Sequence, residues 1–456
     1  MSAHAKDINL LEGSILKHII RLSWPMVIAF TFQTSFNFVD RFFVSRVGDI
    51  GTAAIGMAFL VQLILIALGS GLGVGVNSFI ARNLGAKKTD AARETALHSI
   101  VLALAVGFTL TVVGLLLQRP IFTLLGASGQ LLEMIIQYLT VILWFAPVVM
   151  LLMLGNNIFR GWGDTMLPMR FMLTGTFLNV ALDPILIFGW GPIPPMGIRG
   201  AAWATAIARS IAVLYLMSAL FLHHKPVRLK FSEFKFNPEI VKGIFQVGLP
   251  STLSQFLTSF AMGVIFVVLK PFGALAKAAY TISFTYEQLA FLPMIGVAQA
   301  VTTLTGHNFG AKKLDRVKET YRKGIMVSLA MMGVGTIAIS LGPQFFARIF
   351  ARSDEVLSLG SEALRITALG YVFFSFYLIS IASFQGLGMG NQYLWANLLR
   401  LYLLQIPLAY LGAHIFQLRG VWMGLVAGTI ISALTIFLWY LFVFRRRVLT
   451  GKIQPL

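Results

Sequence analysis

"RNLGAKKTDAARET" occupies residues 82–95 and "HNFGAKKLDRVKET" occupies residues 307–320 of a 456-residue chain. They share a glycine, a lysine pair and an acid at matched places, 225 positions apart. The same shift lays Pro25 on Pro250, Gly48 on Gly273, Gly71 on Gly296, and "FRGWG" (159–163) on "FQGLG" (384–388). Farther along the offset slips a little, and Pro184 pairs with Pro407 and Arg199-Gly200 with Arg419-Gly420. One structural unit is therefore written twice.

The material between these loops says what the unit is. The chain is 57% hydrophobic and only 12% charged, about half the charge of a soluble domain. Runs such as "SIVLALAVGFTLTVVGLLLQ" (99–118) are long enough to cross a bilayer core of about 30 Å as helices. Twelve are expected, near 15–46, 50–81, 92–118, 130–158, 166–189, 198–222, 239–270, 275–306, 317–342, 357–386, 391–416 and 419–444. The fold class is all-α and polytopic, with twelve transmembrane helices in two six-helix lobes. The lobes are expected at 1–222 and 239–456, joined by a linker at 223–238. Six is even, so the copies share one orientation. Parallel repeats of this kind are related by a pseudo-two-fold along the membrane normal, with substrate bound at their interface.

A net charge of +19 suggests nucleic acid until the cations are placed. Lys87, Lys88, Arg160, Arg170, Lys312, Lys313 and the Arg445–Arg447 tail fall on one side of the expected helices, and few fall on the other. That asymmetry puts both termini and the linker in the cytoplasm and excludes nucleic acid as a partner. The chain has no cysteine, and its seven histidines show no ligand spacing beyond the adjacent His223 and His224, so no metal site is expected. The first apolar run follows a segment with Asp7 and Glu12 and lacks a cleavage motif, so no cleaved signal peptide is expected. The linker "HHKPVRLKFSEFKFNPEI" (223–240) reads either as an interfacial segment, with Phe231, Phe234 and Phe236 among lysines, or as a plain connection. Asn237-Pro238 at its end fits a helix cap followed by proline. In the twin loops, Gly85 and Gly310 are expected to end a helix and Asp90 and Asp315 to cap the next, with a gate as the rarer role.

Where the copies disagree, function is the first suspect. Asp40 is mated with Ile265, Asp183 with Ile406, and Asn179 with Tyr402. The first half thus carries two intramembrane acids where the second carries isoleucine, each costing about 2.5–3.5 kcal/mol at mid-bilayer. Gln33, Asn37 and Asp40 share one helical face, and Thr176, Asn179 and Asp183 share another at similar depth. Two such faces make a proton or ion pocket, in which paired carboxylates can share a proton. Glu287 is a third acid, mated with Gln62, and faces either a cationic substrate or a structural partner. Asn156 and Asn157 are candidate cavity amides, and Pro25 is expected to interrupt the first helix at a moving point. "GSGLGVG" (69–75) lies inside a membrane helix and reads as close packing rather than a phosphate loop.

The residues "LSWP", "FVD", "LGAKK", "FGAKK", "EQLAFLP", "LNVALDP" and "RGAAWAT" together resemble the multidrug and toxic compound extrusion transporters over nearly the whole chain. The resemblance implies two six-helix lobes that export cationic, amphipathic compounds in exchange for H⁺ or Na⁺. The acids look like those of the bacterial and archaeal branch named after the DNA-damage-inducible protein F. There the cation site resembles Asp40, Asn179 and Asp183, with Thr205 as fourth member, and bending at the proline matching Pro25 is tied to protonation. The reading is a monomeric multidrug antiporter of the inner (plasma) membrane, contacting small-molecule substrates and lipids. It needs no cofactor and couples to H⁺, with Na⁺ as the alternative. A lipid-linked sugar flippase of the same superfamily would need a cationic groove, whereas the intramembrane charges read here are acids. A membrane enzyme would need a nucleophile–base pair or metal ligands at bilayer depth, and none is read.

Overall fold

The computed structural model describes residues 9–46, 48–223 and 228–453, and their side chains except 35–42, 44–45, 223 and 233. Among these residues the chain is helical throughout, with one isolated bridge between Trp190 and Ile193. The helices are α1 (Ile15–Ser45), α2 (Asp49–Gly85), α3 (Thr89–Leu124), α4 (Gly129–Trp144), α5 (Ala146–Gly161), α6 (Met166–Phe188) and α7 (Gly197–Ser218). After the linker come α8 (Pro238–Val268), α9 (Gly273–Gly310), α10 (Leu314–Leu341), the short α11 (Pro343–Arg348), α12 (Asp354–Gly386), α13 (Gly390–Leu398) and α14 (Ile406–Val443).

Ten helical stretches pass as membrane spans among the described residues, and two further features bring the count to twelve. First, α4 and α5 form one span bent by 50° at Phe145, just before Pro147. Second, Gly390–Val448 is 59 residues long. At 1.5 Å per residue it would reach roughly 90 Å, about three bilayer cores. It breaks at Phe416 and Gln417, where Gln417 has φ 56°. Gly412 and Gly420 then face each other so closely that a methyl group on either would overlap the other's carbonyl. The two arms of this helical hairpin touch backbone to backbone, which only glycine allows. The long apolar helices expected from composition are all present, and α11 is an addition.

Contacts gather the chain into two compact units. One joins Met1–Val27, Ala81–Lys87 and Gln246–Leu456, and the other joins Ile28–Ile80 and Lys88–Phe245. The sequence repeats, expected as lobes at 1–222 and 239–456, differ from these units at residues 1–27, 81–87 and 239–245. The beginning of α1 and the end of α2 lie with the C-terminal residues, and α1 changes unit between Val27 and Ile28, just past Pro25. Helical turns continue on both sides of Pro25 and of Pro250. Each does remove one backbone N–H from the ladder, leaving the carbonyl of Arg21 or Gln246 without its helical donor.

The twin loops meet in the first unit. A methyl group at Gly85 would overlap the His307 carbonyl, and one at Gly310 would overlap the Arg82 carbonyl. These pairs are mates under the repeat shift, so the ends of α2 and α9 cross symmetrically. The chain then reverses at Lys87 (φ 61°) and Lys312 (φ 57°), again mates. Gly85 and Gly310 do end their helices, but Asp90 and Asp315 do not cap the next ones. The cap positions are Lys88 and Lys313, and the acids sit in the first turn, against the positive end of the helix dipole. The second loop also holds the start of the chain. Arg316 donates to the carbonyls of Gly13 (2.9 Å), Leu10 (3.3 Å) and Glu12 (3.3 Å), and Lys313 donates to Leu11 (3.0 Å).

The linker is anchored within the second unit. His98 of α3 receives the Asn237 backbone N–H on Nε2 at 2.8 Å, and its ring packs against Phe234 and Phe236. Asn237 Oδ1 accepts from Glu239 N at 3.0 Å, and Pro238 follows as the first helical residue, as expected. Phe231 and Phe236 remain exposed.

Candidate functional site

The site in the second unit is built by the pairing of α6 with α7. Gly200 lies against the Leu186 carbonyl, where any side chain would clash, and Gly175 approaches the Ala208 carbonyl (3.6 Å from an ideal Cβ). This seam of small residues brings two antiparallel helices to backbone contact. Five residues beyond Gly200, Thr205 therefore comes level with Asn179 and Asp183. The Asn179 amide nitrogen donates to Asp183 Oδ1 at 3.2 Å and to Thr205 Oγ1 at 3.4 Å. Asp183 is fully buried. Pro184 follows it inside α6 and cannot donate, so the Val180 carbonyl loses its helical partner next to Asn179. The Asn179 amide nitrogen thus bridges a carboxylate and a hydroxyl.

The structure joins Asn179, Asp183 and Thr205. Asp40 and Asn37 lie on α1, but their side chains are outside the described residues. Gln33 is exposed on the same helix. Thr176, expected on the polar face, bonds instead to the Met172 carbonyl at 2.7 Å. Asn156 and Asn157 are buried on α5. Asn157 donates to the Met153 carbonyl at 2.9 Å and lies against Gly73, and the side-chain oxygens of both asparagines have no partner among the described residues. Glu287 is half-buried on α9, in the other unit from Asp183. Its mate Gln62 donates to Tyr138 Oη at 2.7 Å. Pro25 is buried on α1. No cluster of three or more potential metal ligands occurs among the described residues.

One expectation needs correction. The intramembrane charges are not only acids, because Arg400 is buried at 8% exposure, ten residues past Gly390. A lone arginine in "ANLLRLYLL" was passed over because a single cation barely lowers the hydropathy of so apolar a run. Its repeat mate at offset 223 is Phe177, and that mismatch was the available signal. Arg82 and Arg160, placed in loops by sequence, are also buried, in the last turns of α2 and α5.

A model of the MatE family matches residues 25–185 and again residues 250–411, one match in each repeat. The chain belongs to the MatE family. Among its MatE relatives, "Multidrug export protein MepA" of Staphylococcus aureus (strain MSSA476) is 28% identical over 97% of each chain. The "FAD transporter" of Shewanella oneidensis is 27% identical over 91% of this chain and 92% of its own. A solved structure described as the outward-facing conformation of a multidrug resistance MATE family transporter of the MOP superfamily is 34% identical. It covers 96% of this chain and 98% of its own, with a TM-score of 0.91. The MatE assignment carries the fold with it: an all-α, multi-pass membrane transporter of twelve helices.

Proposed function

We propose that this MatE protein exports cationic and amphipathic small molecules in exchange for protons, by alternating access. Small-molecule export is supported by the similarity to the multidrug export protein. Proton coupling is carried by one observation, the buried Asp183 carboxyl held by the Asn179 amide nitrogen. A carboxyl that is neutral when protonated and charged when not gives the two states a coupling group needs. Asp40, which the repeat also singles out, is the natural second carboxylate. Protons and cationic cargo then compete for the same negative charge, and each must favour a different conformation for exchange to be coupled. A proton moving inward gains about 2.3 kcal/mol per 100 mV. On this reading the protein works as a monomer in the plasma membrane, and its cation asymmetry supports cytoplasmic termini.

Sodium is the second reading, since Asp183, Asn179 and Thr205 all carry oxygens. Asn179 turns its nitrogen, not its oxygen, toward both neighbours. Sodium at that point would require the amide to turn over. The deciding experiment is ethidium transport in liposomes under separately imposed gradients. Transport that follows ΔpH and ignores ΔNa⁺ is expected; the reverse result replaces H⁺ by Na⁺, and no transport under either gradient removes the exporter reading.

A further inference from the structure

Arg400 sits about 15 Å along its helix from Gly390, in a stretch where the backbone widens to a π-helix, Leu399–Gln405. Such widened turns concentrate at functional sites. Its guanidinium lies over the rings of Tyr377 (4.9 Å) and Phe374 (5.3 Å), and Phe374 is itself stacked on Phe291 at 4.1 Å. All of these residues belong to one unit. A layered aromatic wall therefore lies against the guanidinium.

Its edge is held differently. Nη2 reaches Asn397 Oδ1 and Nη1 reaches Gln405 Oε1, both at a long 3.4 Å. Those acceptors are committed elsewhere. Asn397 Oδ1 already accepts from Tyr377 Oη at 3.1 Å, and the Asn397 amide donates to Ser254 O at 2.7 Å and to Thr258 Oγ1 at 3.0 Å. The Gln405 amide donates to Thr429 Oγ1 at 2.7 Å. The scaffold is rigid and internally satisfied, yet it uses only two of the five N–H donors of an arginine. The buried Nε has no partner, and Arg400 forms no ion pair among the described residues. Aromatic faces offset only part of the cost of desolvating a guanidinium.

We propose that Arg400 is an anion-binding subsite in this unit, taking a carboxylate or phosphate group carried by the exported molecule. The group's planar fork of unused donors suits two-oxygen recognition, and the aromatic wall suits an attached flat ring. The subsite adds amphiphiles that carry an anionic group to the cargo, beyond the cations proposed above. The inference rests on the export reading only in calling the ligand cargo.

The test is fluorescence titration of the purified full-length protein with a matched pair, flavin mononucleotide and riboflavin, which differ by one phosphate. The wild type is expected to bind the phosphate form at least about tenfold more tightly. Arg400→Gln should erase that preference and Arg400→Lys should retain part of it, with folding of each followed by thermal unfolding. Equal affinity of the wild type for both flavins, including no binding of either, overturns the subsite without recourse to any variant. So does a preference that survives in folded Arg400→Gln. A parallel titration with dihexanoyl-phosphatidylglycerol separates the two phosphate sources. Arg400-dependent binding of that lipid, without binding of flavin mononucleotide, gives the subsite to a lipid headgroup and overturns the cargo assignment. Ethidium transport under ΔpH is the independent readout of the export reading.

Discussion

Asp183 and Ile265 show how far a single side chain reaches. Asp183 is buried, is bonded to Asn179, and stands where the other repeat has isoleucine. Asp183→Asn removes the titrating proton but keeps the size, and an amide is cheaper than a charge at this depth. Normal expression with loss of ΔpH-driven efflux is expected in liposomes; full activity would remove Asp183 from coupling. Ile265, the mate of Asp40, lies in an apolar cluster with Leu269, Tyr280 and Trp422. Ile265→Val should cost only about 0.5–1.5 kcal/mol of stability, read by thermal unfolding, and leave efflux unchanged. The acids were legible because repetition supplies an internal control at every position. Arg400 was open to the same comparison, since its mate is Phe177, but a single cation barely lowers the hydropathy of so apolar a run. That Asn179, Asp183 and Thr205 meet required the glycine seam between α6 and α7, which no single-helix periodicity reveals.

At the level of elements, helix number and order were legible because apolar runs and the repeat shift agree. The bend between α4 and α5 and the break at Phe416–Gln417 follow from packing, and only the second fell where the sequence had already divided two runs. The crossing of α2 and α9 gives a paired prediction. Gly85→Ala and Gly310→Ala each insert a methyl group into the other helix's backbone and should cost about 1–3 kcal/mol in thermal unfolding. Once one methyl group has parted the helices, the second should cost less, so the double variant should fall short of the sum. Strict additivity would mean that the two contacts are independent. On α1, Pro25 denies Arg21 its helical donor just before the helix passes from one compact unit to the other. Pro25→Ala restores that bond and stiffens this passage. Slower ethidium efflux at unchanged expression is expected, and a wild-type rate would separate the proline from the transport cycle.

For the whole molecule, the cation asymmetry fixes the expected side of every loop. Ser232 is exposed in the linker, and the chain has no other thiol to confuse labelling. Ser232→Cys should react with an impermeant maleimide only after cells are opened, and labelling of intact cells would invert the topology. The clamp on residues 10–13 has a consequence in time. Arg316 lies 303 residues downstream of Gly13. At about 5–20 residues per second, a ribosome needs roughly 15–60 s to deliver it after Gly13 is made. Through that interval the carbonyls of Leu10, Glu12 and Gly13 are open to any passing chaperone, peptidase or modifying enzyme. Once α10 arrives these carbonyls gain their distant donors, so the lead-in to α1 is tied down only late in synthesis.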